Sequence, residues 1–250
     1  MKWITFVGEG RSGHTIVSAI LDSHPHIRIS EEQKYISKWW REGWNKEKII
    51  DHLLQSGMGK ERRNKAFPGA LKYTEPLLAM GDKCGWDAVN EFRKRKASKN
   101  IFNQFSLMMD MPVKIIHTSR HPLDNIYAWV DSPKYQRLYP DEYYRFRKMI
   151  RRYSRFYTAL EEIIENQNVF HLQNEKLCYN SKETITNLMN FLEIECEDNW
   201  LNMVSSGVNK APNKRSSGRI LETKLYEMIY WRIIDKYPSL SIYKKENELG

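Results

Sequence analysis

The sequence predicts an α/β protein, with a central parallel sheet and helices on both faces. Three observations predict it. Short apolar runs alternate with longer stretches of helical periodicity along the 250 residues. A glycine-rich turn, "GEGRSGHT" at 8 to 15, directly follows the first apolar run. Each unusual polar cluster (Arg11, Ser12 and His14; Glu31 and Glu32; Asp82 and Lys83; Arg120) falls just after an expected strand, where open α/β sheets bind ligands. Together these give a three-layer, P-loop-like fold. A single domain over 1–250 is expected, because no internal repeat and no Pro/Gly/Ser-rich linker divides the chain.

The elements follow in order. "WITFVG" is nearly continuous apolar sequence ending in glycine, the pattern of a buried parallel strand. "TIVSAILDSHP" is a helix, with Ile16, Val17, Ile20 and Leu21 at helical spacing and Pro25 past its end. "HIRIS" alternates as a second strand, residues 36 to 56 are mostly helical, and "LLAMGDK" holds a short third strand. Residues 87 to 109 are again helical. "VKIIHTSR" is the clearest later strand, and "PLDNIYAWV" opens a helix with Pro122 in its first turn. Residues 140 to 166 form a long helix whose Tyr143, Phe146, Tyr153, Phe156 and Tyr157 are expected in the core. "NVFHLQ" is a last strand. "SKETITNLMNFLEI" and residues 221 to 237 are amphipathic helices.

Lys and Arg number 40 against 31 Asp and Glu, a net charge of +9 that suits an anionic ligand. The basic stretches "RKRK" and "RFRKMIRR" are dispersed and read as solvated helix faces, so no nucleic-acid partner is expected. Cys84, Cys178 and Cys196 are odd in number and widely spaced, which fits neither a disulfide framework nor a zinc site. No apolar stretch is long enough to span a bilayer, and no leader pattern is visible. A soluble, cytoplasmic protein is the expectation.

The glycine-rich turn carries the chemistry. A phosphate-binding loop of the NTPase kind reads G-x-x-x-x-G-K-[ST]. Gly8, Gly13 and Thr15 hold their places, but His14 stands where the lysine would be, and a cation lies inside the loop at Arg11. Backbone N–H groups at a strand-to-helix turn hold a phosphate whatever side chain occupies position 14. An NTPase also needs an acidic magnesium ligand at a later strand end. Here "VKIIHTSR" ends in Arg120, which suits a second anion on the ligand. A P-loop small-molecule kinase and a non-catalytic nucleotide- or anion-binding module remain the alternatives.

"GRSGHT … LDSHPHIRISEE" closely resembles the sulfotransferases that use 3′-phosphoadenosine 5′-phosphosulfate (PAPS). Their loop reads R/K-S-G-T-T, and a glutamate follows seven residues after an "HP" proline, as Glu32 follows Pro25. The local motifs are most similar to tyrosylprotein and Golgi-type carbohydrate sulfotransferases. "GDKCGW" resembles the family's "GDK-x-P" segment, "SRHPLDNIYAW" its R-[DN]-P-x-D-x-x-x-S motif, and "NEKLCYNSKETITNLMNFLEI" its "YEDL … P … FLG" region.

The resemblance implies a sulfuryl transfer from PAPS to an acceptor hydroxyl, with adenosine 3′,5′-bisphosphate (PAP) as product and no metal. It implies that Gly10, Arg11, Ser12, Gly13, His14 and Thr15 hold the 5′-phosphosulfate, with Ser12 and Thr15 adding hydroxyl donors. Arg11 and Lys83 would stabilise the transferring group. Glu32 would be the general base, with Glu31 as its rival, and Arg120 would bind the 3′-phosphate. Lys214, Arg215 and Arg219 lie in the basic stretch "NKAPNKRSSGR", where the family closes a loop over the nucleotide. The acceptor would be a carbohydrate, a lipid, a small alcohol or a peptide tyrosine, and Trp39, Trp40 and Trp44 would line its pocket or simply pack.

Three positions depart from the pattern. His14 replaces the first loop threonine, where an imidazole could still donate to a phosphate. Gly85 replaces the proline of "GDK-x-P". Ala128 replaces the serine of the 3′-phosphate motif, leaving Tyr127, Asn125 or Arg219 to compensate.

Overall fold

The computed structural model describes residues 1–55, 66–68, 73–95, 100–165, 167–210, 212, 216 and 223–247. All five expected strands form: β1 (Lys2–Val7), β2 (Ile27–Glu31), β3 (Ala79–Lys83), β4 (Val113–Ser119) and β5 (Val169–Gln173). They make one sheet in the order β2-β3-β1-β4-β5, and every pairing is parallel. The most apolar strand, β1, lies in the middle, between β3 and β4. Chain order reverses on either side of it, which makes its C-terminal end the switch point where ligands bind.

Side chains alternate across β1 and so divide the core in two. Ile4 and Phe6 join one apolar cluster, with Val17, Ile20 and Leu21 of α1 (His14–Asp22). Trp3 and Val7 join the other. This second face is covered by α2 (Tyr35–Glu42), α3 (Lys46–Gln55), α4 (Asp87–Arg95), α5 (Ile101–Met109), α6 (Pro122–Val130) and the long α8 (Glu142–Ile164), with the short α7 (Pro133–Leu138) between the last two. Beyond β5, α9 (Asn174–Tyr179) leads into α10 (Ser181–Leu192) and α11 (Asp198–Ser206), which return to the first face. The three expected layers are therefore present.

The details differ where turns intervene. The helical stretch at 36 to 56 divides because Gly43 stops α2 at φ 67°, a left-handed C-cap. In α8, Phe146, Tyr153, Phe156 and Tyr157 are buried as expected, whereas Tyr143 is exposed. The helix expected at 221 to 237 is α12 (Thr223–Ile229) continued by a π-turn, Tyr230–Ile234, and a 3-10 segment, Pro238–Asn247, follows. Among the described residues no helix is long and apolar enough to cross a membrane.

Candidate active site

The loop between β1 and α1 is bent by Gly8, Arg11 and Gly13 at φ 143°, 73° and 99°. Gly13 is the N-cap of α1 and provides no side-chain cap, so the first-turn N–H groups keep their capacity for an external acceptor. A Cβ on Gly13 would also stand 2.7 Å from Asn174 Nδ2. Arg11 and Thr15 are exposed on the loop.

The Ser12 hydroxyl is engaged within the protein. It is fully buried, donates to the Glu9 carbonyl and accepts from Asn125 Nδ2 at 3.1 Å. His14 is also buried. Burial pulls its pKa down to about 4, so the ring is neutral, and it hydrogen-bonds the Val7 backbone rather than presenting a charge to a phosphate.

Glu9 is buried, and burial raises its pKa against the pull of Arg152. One carboxylate oxygen accepts from the Gly10 N–H at 3.0 Å and from Arg152 at 2.7 Å, which ties the loop to α8. Arg152 also lies over the Trp129 ring, 4.3 Å from its centroid, and Arg11 lies 5.4 Å from the same ring. The Trp129 indole N–H donates to the Gly10 carbonyl at 3.1 Å.

Glu32 and Lys83 come from neighbouring strand ends, since Glu31 is in register with Lys83. Lys83 is buried, and its Nζ donates to Glu32 Oε1 at 3.2 Å and to Thr15 Oγ1 at 3.5 Å. Glu32 itself is well exposed and sits at φ 52°, with Lys34 at φ 59°. Asp82 holds this unusual turn: it accepts from Gln33 N at 3.0 Å, Lys34 N at 2.7 Å and Ser30 Oγ at 2.9 Å. Burial pushes the Asp82 pKa up to about 7 against those hydrogen bonds.

Arg120 follows β4 and is buried. Its turn is fixed by Glu175, which accepts from the His121 N–H at 2.9 Å and from the Tyr243 hydroxyl at 3.1 Å. The Asn125 amide serves Ser12, and Tyr127 packs on Phe146 with ring centroids 5.0 Å apart. Asp124 receives Ser216 through its N–H and its hydroxyl, each at 2.7 Å, so one residue of the C-terminal basic stretch docks on α6. Lys214, Arg215 and Arg219 lie outside the described residues.

A cavity of about 500 Å³ opens over the loop. Arg11, His14, Thr15, Glu32 and Lys83 line it, together with Trp86, Trp129 and Arg152. Those last three were not singled out by the sequence. Trp39 and Trp44 pack against the core and Trp40 is exposed, so none of these three indoles is on the cavity wall. The strand ends meet the site in spatial order: Glu32 after β2, Lys83 on β3, the loop after β1, Arg120 after β4.

The sequence profile of the sulfotransferase family matches residues 4–198. The chain belongs to the sulfotransferase family. This sulfotransferase covers its whole length in a match to a mouse sulfotransferase complexed with PAP, at 11% identity, TM-score 0.57 and 89% of that chain. The sulfotransferase domain from the curacin biosynthetic pathway aligns at 13% identity and TM-score 0.51, over 100% of this chain and 98% of the other. A sulfotransferase from Alicyclobacillus acidocaldarius aligns at 12% identity and TM-score 0.55, over 96% and 94%. At such identities the likeness is one of fold. No curated protein matches the sequence significantly.

Proposed function

We propose that this sulfotransferase takes its sulfuryl group from PAPS, passes it to an alcohol or phenol oxygen, and releases PAP. One observation carries the proposal. Anion-binding groups and a carboxylate lie in a row across four adjacent strand ends, with Lys83 Nζ bridging Thr15 and Glu32 at 3.5 and 3.2 Å. The donor set fits PAPS: uncapped amides at Gly13, Thr15 Oγ1, and the cations Arg11 and Lys83 on one cavity, with Arg120 one strand further on.

When bound, PAPS supplies an activated sulfuryl group on a phosphate leaving group. The chain's residues then have separate tasks. The loop amides from Gly10 to Thr15 and the Thr15 hydroxyl orient the phosphosulfate for in-line displacement. Arg11 and Lys83 offset the charge that grows on the leaving oxygen. Glu32 takes the acceptor hydroxyl's proton as that oxygen bonds to sulfur. Arg120 reads the 3′-phosphate through its guanidinium fork, and Lys214, Arg215 and Arg219 add cations for the nucleotide. Trp86 and Trp129 suit an acceptor with a flat face, such as a sugar or phenol ring.

Thermal unfolding with PAP, and with ATP with and without Mg²⁺, tests this reading. Ligand at about a hundred times its dissociation constant stabilises by roughly 2.7 kcal/mol. Stabilisation by PAP without metal is the expected result. Stabilisation by Mg-ATP alone would replace the donor with a nucleoside triphosphate and make the chain a kinase.

A further inference from the structure

Two of the positions at which this chain leaves the family's pattern touch each other. A Cβ placed on Gly85 would stand 2.4 Å from His14 Nε2 and 2.8 Å from its Cε1. No side chain tolerates such an approach without displacing the ring. From the loop side, a Cβ on Gly8 would stand 3.0 Å from the same nitrogen. The imidazole thus fills the gap between the β1–α1 loop and the turn that follows β3, and glycine at 85 leaves it room.

The ring has a defined seat. It packs edge-on against Phe6, with centroids 6.2 Å apart, and bonds the Val7 backbone. Its Nε2 is buried and has no partner among the described residues. Beside it, the Gly8 N–H donates to the Gly85 carbonyl at 3.0 Å, so backbone and ring join the same two turns. Each turn carries part of the site. Thr15 follows His14 directly, Lys83 lies two residues before Gly85, and Lys83 Nζ spans the gap to Thr15 Oγ1 at 3.5 Å.

We propose that His14 is a positioning residue: its imidazole sets the distance between the loop amides and Lys83, and Gly85 is its necessary complement. The role rests on the donor reading above, in which the loop holds a 5′-phosphate group. It makes two departures from the family pattern one event, because a large ring at 14 requires no side chain at 85.

The thermal midpoints of the wild type, His14→Thr, Gly85→Ala and the double variant form a cycle. Gly85→Ala is expected to lower the midpoint clearly when His14 is present and much less in the His14→Thr background. The rescue stays partial, because the Gly8 carbonyl also lies 3.0 Å from the new Cβ. An equal penalty in both backgrounds overturns the packing. His14→Asn serves the same purpose should His14→Thr not fold.

Calorimetry with three nucleotides tests the positioning. Gly85→Ala should weaken PAP and AMP about tenfold and leave adenosine 3′-phosphate within about twofold. A uniform loss, or none, shows that the pair holds the fold and not the loop. If the wild type binds none of the three, the donor reading fails and the positioning role with it, while the thermal cycle still decides the packing.

Discussion

Lys83 Nζ and Glu32 Oε1 stand 3.2 Å apart, a buried cation held by an exposed carboxylate from the next strand. The two groups proposed for charge stabilisation and proton removal thus neutralise each other. In the proposed reaction the lysine turns toward the leaving oxygen and the glutamate toward the acceptor.

Glu32→Gln removes the proton acceptor and leaves the cation. Transfer should fall by at least about a hundredfold, the usual weight of a general base. PAP affinity should hold or rise slightly, because a negative charge beside the anion site is gone. Initial rates and calorimetry on the same protein check both; undiminished turnover would remove Glu32 from the mechanism.

Arg120→Ala separates the two ends of the nucleotide. A charge-assisted fork to a phosphate contributes more than a neutral hydrogen bond. PAP affinity should drop roughly a hundredfold and AMP affinity by less than about threefold. Equal losses for PAP and AMP, measured by titration, would show that Arg120 does not read the 3′-phosphate.

Asp82 gives a pH signature. Its carboxyl titrates near 3.8 when unfolded and at about 7 in the folded chain, so between these values the folded state carries the extra proton. Stability from this group is greatest below the lower value, falls as pH rises to about 7, and is level above. Asp82→Asn removes that contribution and sets an amide NH₂ against the Lys34 N–H. Denaturant unfolding of both proteins from pH 4 to 8 should show their stability difference changing across this window. A constant difference would mean that Asp82 stays charged.

Glu9 and Arg152 should behave as one unit. Arg152→Met leaves a buried carboxylate with only the Gly10 N–H, at a cost of about 2 kcal/mol. That figure lies below the value for a fully buried pair, because the Arg152 side chain is 36% exposed. Glu9→Gln/Arg152→Met should cost less than the sum of the single changes. Strict additivity in urea unfolding would show that the pair is not coupled.

The strands and the groups at their ends were legible because both are local signals. An apolar run followed by Glu32, Lys83 or Arg120 needs no knowledge of distant contacts. Arg152 was hidden for the opposite reason: its partner Glu9 is 143 residues away, and a basic residue on a long helix resembles any solvated one. The available clue was Glu9 itself, a carboxylate inside an anion-binding loop that needs a cation to offset it. The Ser12 hydroxyl's bonds to Glu9 and Asn125 were not legible, because a hydroxyl's direction is set by its neighbours and not by its place in a motif. The break in the helical stretch after α2 was carried by Gly43, a glycine that amphipathic periodicity does not register.

The row of groups from Glu32 to Arg120 makes the sheet a ruler. Neighbouring strands are held about 4.8 Å apart by their own hydrogen bonds, so the strand ends that carry Lys83 or lead into Glu32 and Arg120 stand at intervals set by the sheet. Lys83, the loop after β1 and Arg120 lie at the ends of inner strands, each braced on both sides. Glu32, the proposed base, follows β2 at the edge of the sheet. Under the proposed roles, a change of acceptor at that edge leaves the spacing of the donor's groups as the inner strands set it.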